Sequence, residues 1–199
     1  MNIKKCYKWG DEMQQIDILN MLIDEDNQNQ LDCMAQIHKY TKHYLLLAEE
    51  LSENGESFLQ PLKEHRDAYD HMMRIFSLHL RMNDLSDDFN FQLYVNENIK
   101  KAYGHEYRAF FDTADWLTFI CRKKIRETLT YKAKQKQYIV KYGEQDFNEL
   151  KVFINKLPYD IAMYRETKDI SNTTLLQEVK SYKNTLDQLL EVYNKVQII

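Results

Sequence analysis

Turn-forming residues are scarce in this chain: 4 Gly and 2 Pro in 199 residues. An all-β protein needs positive φ or a pre-set φ at nearly every hairpin, so this shortage excludes one and calls for long helices with few breaks. Cysteine is sparse and odd in number. Cys6, Cys33 and Cys121 lie far apart with no Cys-x-x-Cys pair, which argues against a disulfide framework and a cysteine zinc site and suits reduced thiols. No apolar run approaches the roughly 20 residues that span a bilayer. The opening MNIKKCYKWGDEMQQ has no apolar segment of the kind a secretory signal carries. The expectation is a soluble, cytoplasmic protein with no membrane partner. Phosphate-cradling glycine loops, nucleophile elbows and dinucleotide fingerprints are also missing, so no cofactor is assigned.

What is present is apolar and aromatic. Hydrophobic residues make up 44% of the chain, with 14 Tyr and 9 Phe, enough for one aromatic-rich core. We expect an all-α, single-domain bundle of about six or seven helices over residues 1–199, divisible into a core bundle (1–142) and a C-terminal helical hairpin (143–199). A first helix is expected through EMQQIDILNMLI, closed by the acidic stretch DEDNQNQ, and a second over 31–51 with Leu31, Met34, His38, Leu45 and Ala48 on its apolar face. A third starts near Pro61, and a fourth, FNFQLYVNENIKKAY, ends at Gly104 as a C-terminal cap. The fifth starts at HEYRAFFDTADWLTFIC, apolar on nearly all sides and hence central, and continues to about Tyr142, where Gly143 stops it.

Beyond that glycine the apolar positions alternate by three and four: Phe147, Leu150, Ile154, Leu157, Ile161, Tyr164, and then Leu175, Val179, Tyr182, Leu186, Leu189, Tyr193, Val196. One narrow seam per helix predicts an antiparallel hairpin with its turn between Lys168 and Thr173, both seams facing the rest of the bundle. Pro158 predicts a kink or a restart.

The third helix carries the sharpest motif. Arg66-Asp-Ala-Tyr-Asp-His71 has an Arg and a His five residues apart, a spacing repeated at Arg74 and His79. Arg66 to His71 resembles the Arg-x4-6-His motif of HEPN domains, all-helical bundles of which many are RNases. The resemblance implies Arg66 and His71 as a catalytic pair. On a straight helix, residues five apart point about 140° away from each other. The helical wheel therefore gives Leu62, Tyr69, Met73, Phe76 and Leu80 as the core stripe, flanked by His65 and Arg66. His71 falls on the opposite face with Glu64, Asp67 and Arg74 in an ion-pair ladder.

Three further constellations follow. All six histidines lie between His38 and His105, but no Glu-x-x-His pair of the dimetal-bundle kind occurs. Asp67 and His71, with Glu64 a turn earlier and His105 or Glu106 from another helix, are the available ligand types; no metal set is assigned. In the apolar fifth helix the charges stand out. Arg108 is spaced to pair with Asp112 or Asp115, and His105, Arg108, Asp112, Asp115 and Trp116 are the candidates for a polar ligand pocket. From 122 to 141 the chain then turns basic, with eight Lys or Arg against one Glu. Arg122, Lys123, Lys124, Arg126, Lys132, Lys134 and Lys136 are the candidates for nucleic-acid contact. The functional expectation is a non-enzymatic interaction or regulatory module that binds a protein partner or itself. The alternatives are a HEPN-like RNase or inactive relative that binds RNA, and a metal- or small-ligand-binding bundle.

Overall fold

The computed structural model describes residues 25–53, 57–78, 88–169 and 175–199, and among these every regular element is a helix. We number them α1 (Glu25–Leu51), α2 (Leu59–Phe76), α3 (Phe91–Thr130), α4 (Lys132–Tyr142), α5 (Glu144–Glu166) and α6 (Leu175–Gln197). The chain is an all-α bundle, as its shortage of turn formers requires. Among the described residues no helix is long and apolar enough to cross a membrane. The expected first helix, the turn of the hairpin, Cys6, His79 and Leu80 lie outside the described residues.

The 40-residue α3 is the central strut, with α1, α2 and α6 packed along it. It starts where the Asn90 side chain accepts the Leu93 N–H at 2.9 Å, satisfying one of the unpaired amides of the first turn. Gly104 does not cap it. This glycine is buried inside the helix, between the buried Ala102 and Tyr107, and the helix runs through it despite the roughly 1 kcal/mol a mid-helix glycine costs. The expected fourth and fifth helices are therefore one, and its end comes early. Tyr131 adopts an extended conformation that separates α3 from α4. Gly143, at φ 96°, ends α4 and admits the start of α5, a backbone shape that side-chain-bearing residues rarely adopt. At the other end, the described part of α1 already takes in the acidic stretch expected to close the first helix. Glu25 and Asp26 occupy its first turn, where the helix dipole favours negative charge.

The two C-terminal seams are buried as their spacing predicts, from Phe147 to Ile161 on α5 and from Leu175 to Val196 on α6. Tyr164 near the end of α5 meets Thr185 in the middle of α6 at 2.9 Å, and Asp146 at the start of α5 meets Lys195 at the end of α6 at 2.9 Å. The pair is thus an antiparallel hairpin. Pro158 sits within α5, which stays helical on both sides of it. Several core tyrosines bury their rings and pass the hydroxyl to a carboxylate at the rim: Tyr44 to Asp187 at 2.5 Å, Tyr107 to Glu178 at 2.5 Å and Tyr182 to Asp115 at 2.8 Å.

Helix α2 reverses its expected orientation. Leu62, Tyr69, Met73 and Phe76 are 43%, 64%, 39% and 45% exposed, while Pro61, Ala68, Ile75 and Leu78 are buried. The face turned inward combines small apolar residues with Glu64, His65 and His71, whose polar groups find partners on α3. That pairing makes their burial affordable.

Candidate functional site

The inward face of α2 and the facing stretch of α3 form a polar seam, closed at one side by α1. The two helices run antiparallel, so Glu64 meets His105 while His71 meets Asn98, seven residues earlier on α3. The local sequence that builds the seam is a pair of doublets in reversed order, Glu64-His65 on α2 and His105-Glu106 on α3. Neighbouring residues on a helix point about 100° apart, so each doublet serves two clusters.

In the first cluster Glu106 accepts from two imidazoles. His65 Nδ1 lies 3.0 Å from Glu106 Oε1, and His38 Nδ1, from α1, lies 3.1 Å from Oε2. The two rings meet edge to face, their centroids 4.9 Å apart. Glu106 is buried, His65 nearly so, and the His38 side chain is half exposed. Burial works to raise the Glu106 pKa, but the hydrogen bonds from His38 and His65 outweigh it and hold the carboxyl below its ordinary value. Glu106 in turn raises the pKa of His38, chiefly through that hydrogen bond.

In the second cluster Glu64 Oε2 lies 2.8 Å from both Arg108 Nε and His105 Nδ1. His105 Nδ1 is also 2.6 Å from Arg108 Nη2. Protonated, that nitrogen donates to Glu64; unprotonated, it accepts from Arg108, and it cannot do both at once. Burial again works to raise the Glu64 pKa and is again outweighed, here by Arg108 and His105 together. The His71 ring stacks on His105 at 5.4 Å between centroids.

Several sequence candidates land elsewhere. Arg66 closes on its neighbour Asp67 at 2.7 Å on the exposed side of α2, whereas His71 turns to Asn98. The expected pair reaches different partners. The expected ladder is replaced as well: Glu64 pairs with α3, and Arg74 pairs with Asp70 at 2.6 Å. Arg108 pairs with Glu64 rather than with Asp112 or Asp115. Asp112 lies 3.8 Å from Lys168, and burial, its largest influence, raises its pKa. Asp115 meets Arg165 and Tyr182 at 2.8 Å each. Trp116 packs on Phe58 and lines a separate pocket with Leu51, Phe119, Lys123 and Lys124. The five pocket candidates therefore serve four places.

The basic residues are divided by the break at Tyr131. Lys123 and Lys124 reach Glu53 at 3.4 and 3.9 Å, and Lys134 donates to the Ile199 carbonyl. Arg122 is half buried, with burial the main influence lowering its pKa. Arg126, Lys132 and Lys136 stay exposed. The grouping of His38 with His65 and Glu106 was not anticipated; its only sequence signal is the reversed Glu-His doublets.

No family model, curated protein or solved structure matches the chain.

Proposed function

We propose that the protein is a helical interaction module that associates with a second copy of itself through the outer face of α2. The carrying observation is that Leu59, Leu62, Tyr69 and Met73 stand 67%, 43%, 64% and 39% exposed along one side of one helix. With Arg66 they follow steps of three, four, three and four, the seam by which one helix seats its side chains between those of another. Contiguous exposed apolar surface of this kind marks association sites. A second copy suits it because the face is electrically balanced. Arg66 is neutralised by Asp67 and Arg74 by Asp70, so two such faces meet without like-charge repulsion, and a shared twofold makes one seam its own complement.

Sedimentation of the full chain tests this. The expected result is a concentration-dependent dimer that becomes monomeric in Leu62→Glu/Tyr69→Glu with helicity retained. A strict monomer whose melting temperature falls in that variant would overturn the reading, since the stripe would then be covered from within the chain. The competing RNase reading rests on the motif resemblance, and RNA cleavage abolished by His71→Ala would favour it instead.

A further inference from the structure

We propose that His38, His65 and Glu106 form a binding site for a divalent transition-metal ion of the zinc class. Three helices each contribute one ligand, and the donor atoms all lie within 4.8 Å of one another. The carboxylate oxygens already stand 3.0 and 3.1 Å from the two imidazole nitrogens. Ligands bound to zinc at about 2.0–2.1 Å in a tetrahedron lie about 3.3 Å apart. An ion therefore enters by displacing the shared protons: the carboxylate–imidazole pairs spread by a few tenths of an ångström, while any pair nearer the 4.8 Å limit draws inward toward that edge length.

The donor set selects the metal. Two imidazoles and one carboxylate suit zinc and its neighbours, whereas magnesium and calcium take oxygen ligands almost exclusively. Burial is graded as such a site requires, with side-chain exposures of 8% for Glu106, 17% for His65 and 52% for His38. The inner ligands are held in place while the outer one opens to solvent, giving an entry path and a fourth position for water or a small anionic ligand. Arg108, two residues along α3, is held by Glu64 at 2.8 Å rather than by Glu106. Three protein ligands with one open position is the arrangement of catalytic rather than structural zinc sites.

The site lies on the inner side of α2 and the association seam on the outer side, so neither inference depends on the other. The test is titration of the full chain, stripped with chelator, with Co²⁺ and then Zn²⁺ alone, followed by calorimetry and by the visible absorption of four-coordinate cobalt. The expected result is saturation at one ion per chain with a Kd of about 10 μM or tighter. His38→Gln/His65→Gln should weaken binding by about 100-fold or more, while His43→Gln, an exposed α1 histidine outside the cluster, leaves it unchanged. His38→Gln alone removes a half-exposed ligand and serves if the double variant loses its helical circular dichroism. Absence of saturable uptake by the folded chain, or uptake undiminished in His38→Gln, would overturn the proposal.

Discussion

Glu64 shows how a carboxylate comes to sit between two helices. Its side chain is 13% exposed, and Arg108 and His105 both reach the same oxygen. Taking a carboxylate out of water costs several kcal/mol unless it is paired, and removing one partner is worse than removing both. Arg108→Met should therefore cost about 2 kcal/mol in urea unfolding, and Glu64→Gln added to it should recover part of that loss. A double variant as unstable as the sum of its singles would show that the pair adds nothing. The same residue explains a misreading. Hydropathy scores Glu64, His65 and His71 as solvent-facing because it assigns each residue its own preference for water. Their partners are about 27 to 44 positions away on α3, and no pattern within α2 reveals them.

At the scale of helices, legibility tracks how many faces a helix must satisfy. α5 and α6 each bury one stripe and solvate the rest, so the three-four alternation identified every buried residue of α6 correctly. α2 has two rival faces, one apolar and exposed, the other mixed and buried, and the periodicity favours the wrong one. From Ala102 to Cys121 α3 is buried nearly all round, as its apolar stretch from His105 to Cys121 shows, but Gly104 reads as a stop because the packing that carries the helix through it is tertiary. The hairpin also has a pH signature. Tyr138 and Lys195 both donate to Asp146, at 2.5 and 2.9 Å, and these bonds, Tyr138 first, lower its pKa from an ordinary 3.8. A lowered carboxyl pKa contributes stability that is present above the ordinary value and lost as pH falls through the folded one. Lys195, raised from 10.5 chiefly by its hydrogen bond to Asp146, contributes below its ordinary value and loses that as pH rises through the folded one. The link is thus complete between about pH 4 and 10. Asp146→Asn should cost about 1 kcal/mol at pH 7, a fall of roughly 2–4 °C in melting temperature. The gap from wild type should narrow as pH drops below 4; a gap constant down to pH 3 would show that the charge of Asp146 does not matter.

For the whole molecule, the decisive feature is that one helix serves nearly all the others. Ile37 and Tyr44 of α1, Phe110, Leu117 and Cys121 of α3, Tyr138 of α4, Leu157 of α5 and Tyr182 and Leu186 of α6 belong to a single core. That core joins α1 with α3 to α6, while α2 packs on α3 through a second cluster of Ile75, Val95 and Ile99, so the C-terminal hairpin belongs to the same body as α1 and α3 and should unfold with them. Cys121 offers a probe at its centre. Its thiol is fully buried and burial pushes its pKa up to about 12. Alkylation needs the thiolate and access to reagent, so both arguments make the folded thiol inert. In the full chain with Cys6 and Cys33 replaced by Ser, labelling by iodoacetamide at pH 8 should follow urea in step with the loss of helical circular dichroism. Labelling well before that loss would mean that α6 lifts from α3 while the remaining helices hold, and the single core would then be two units that open separately.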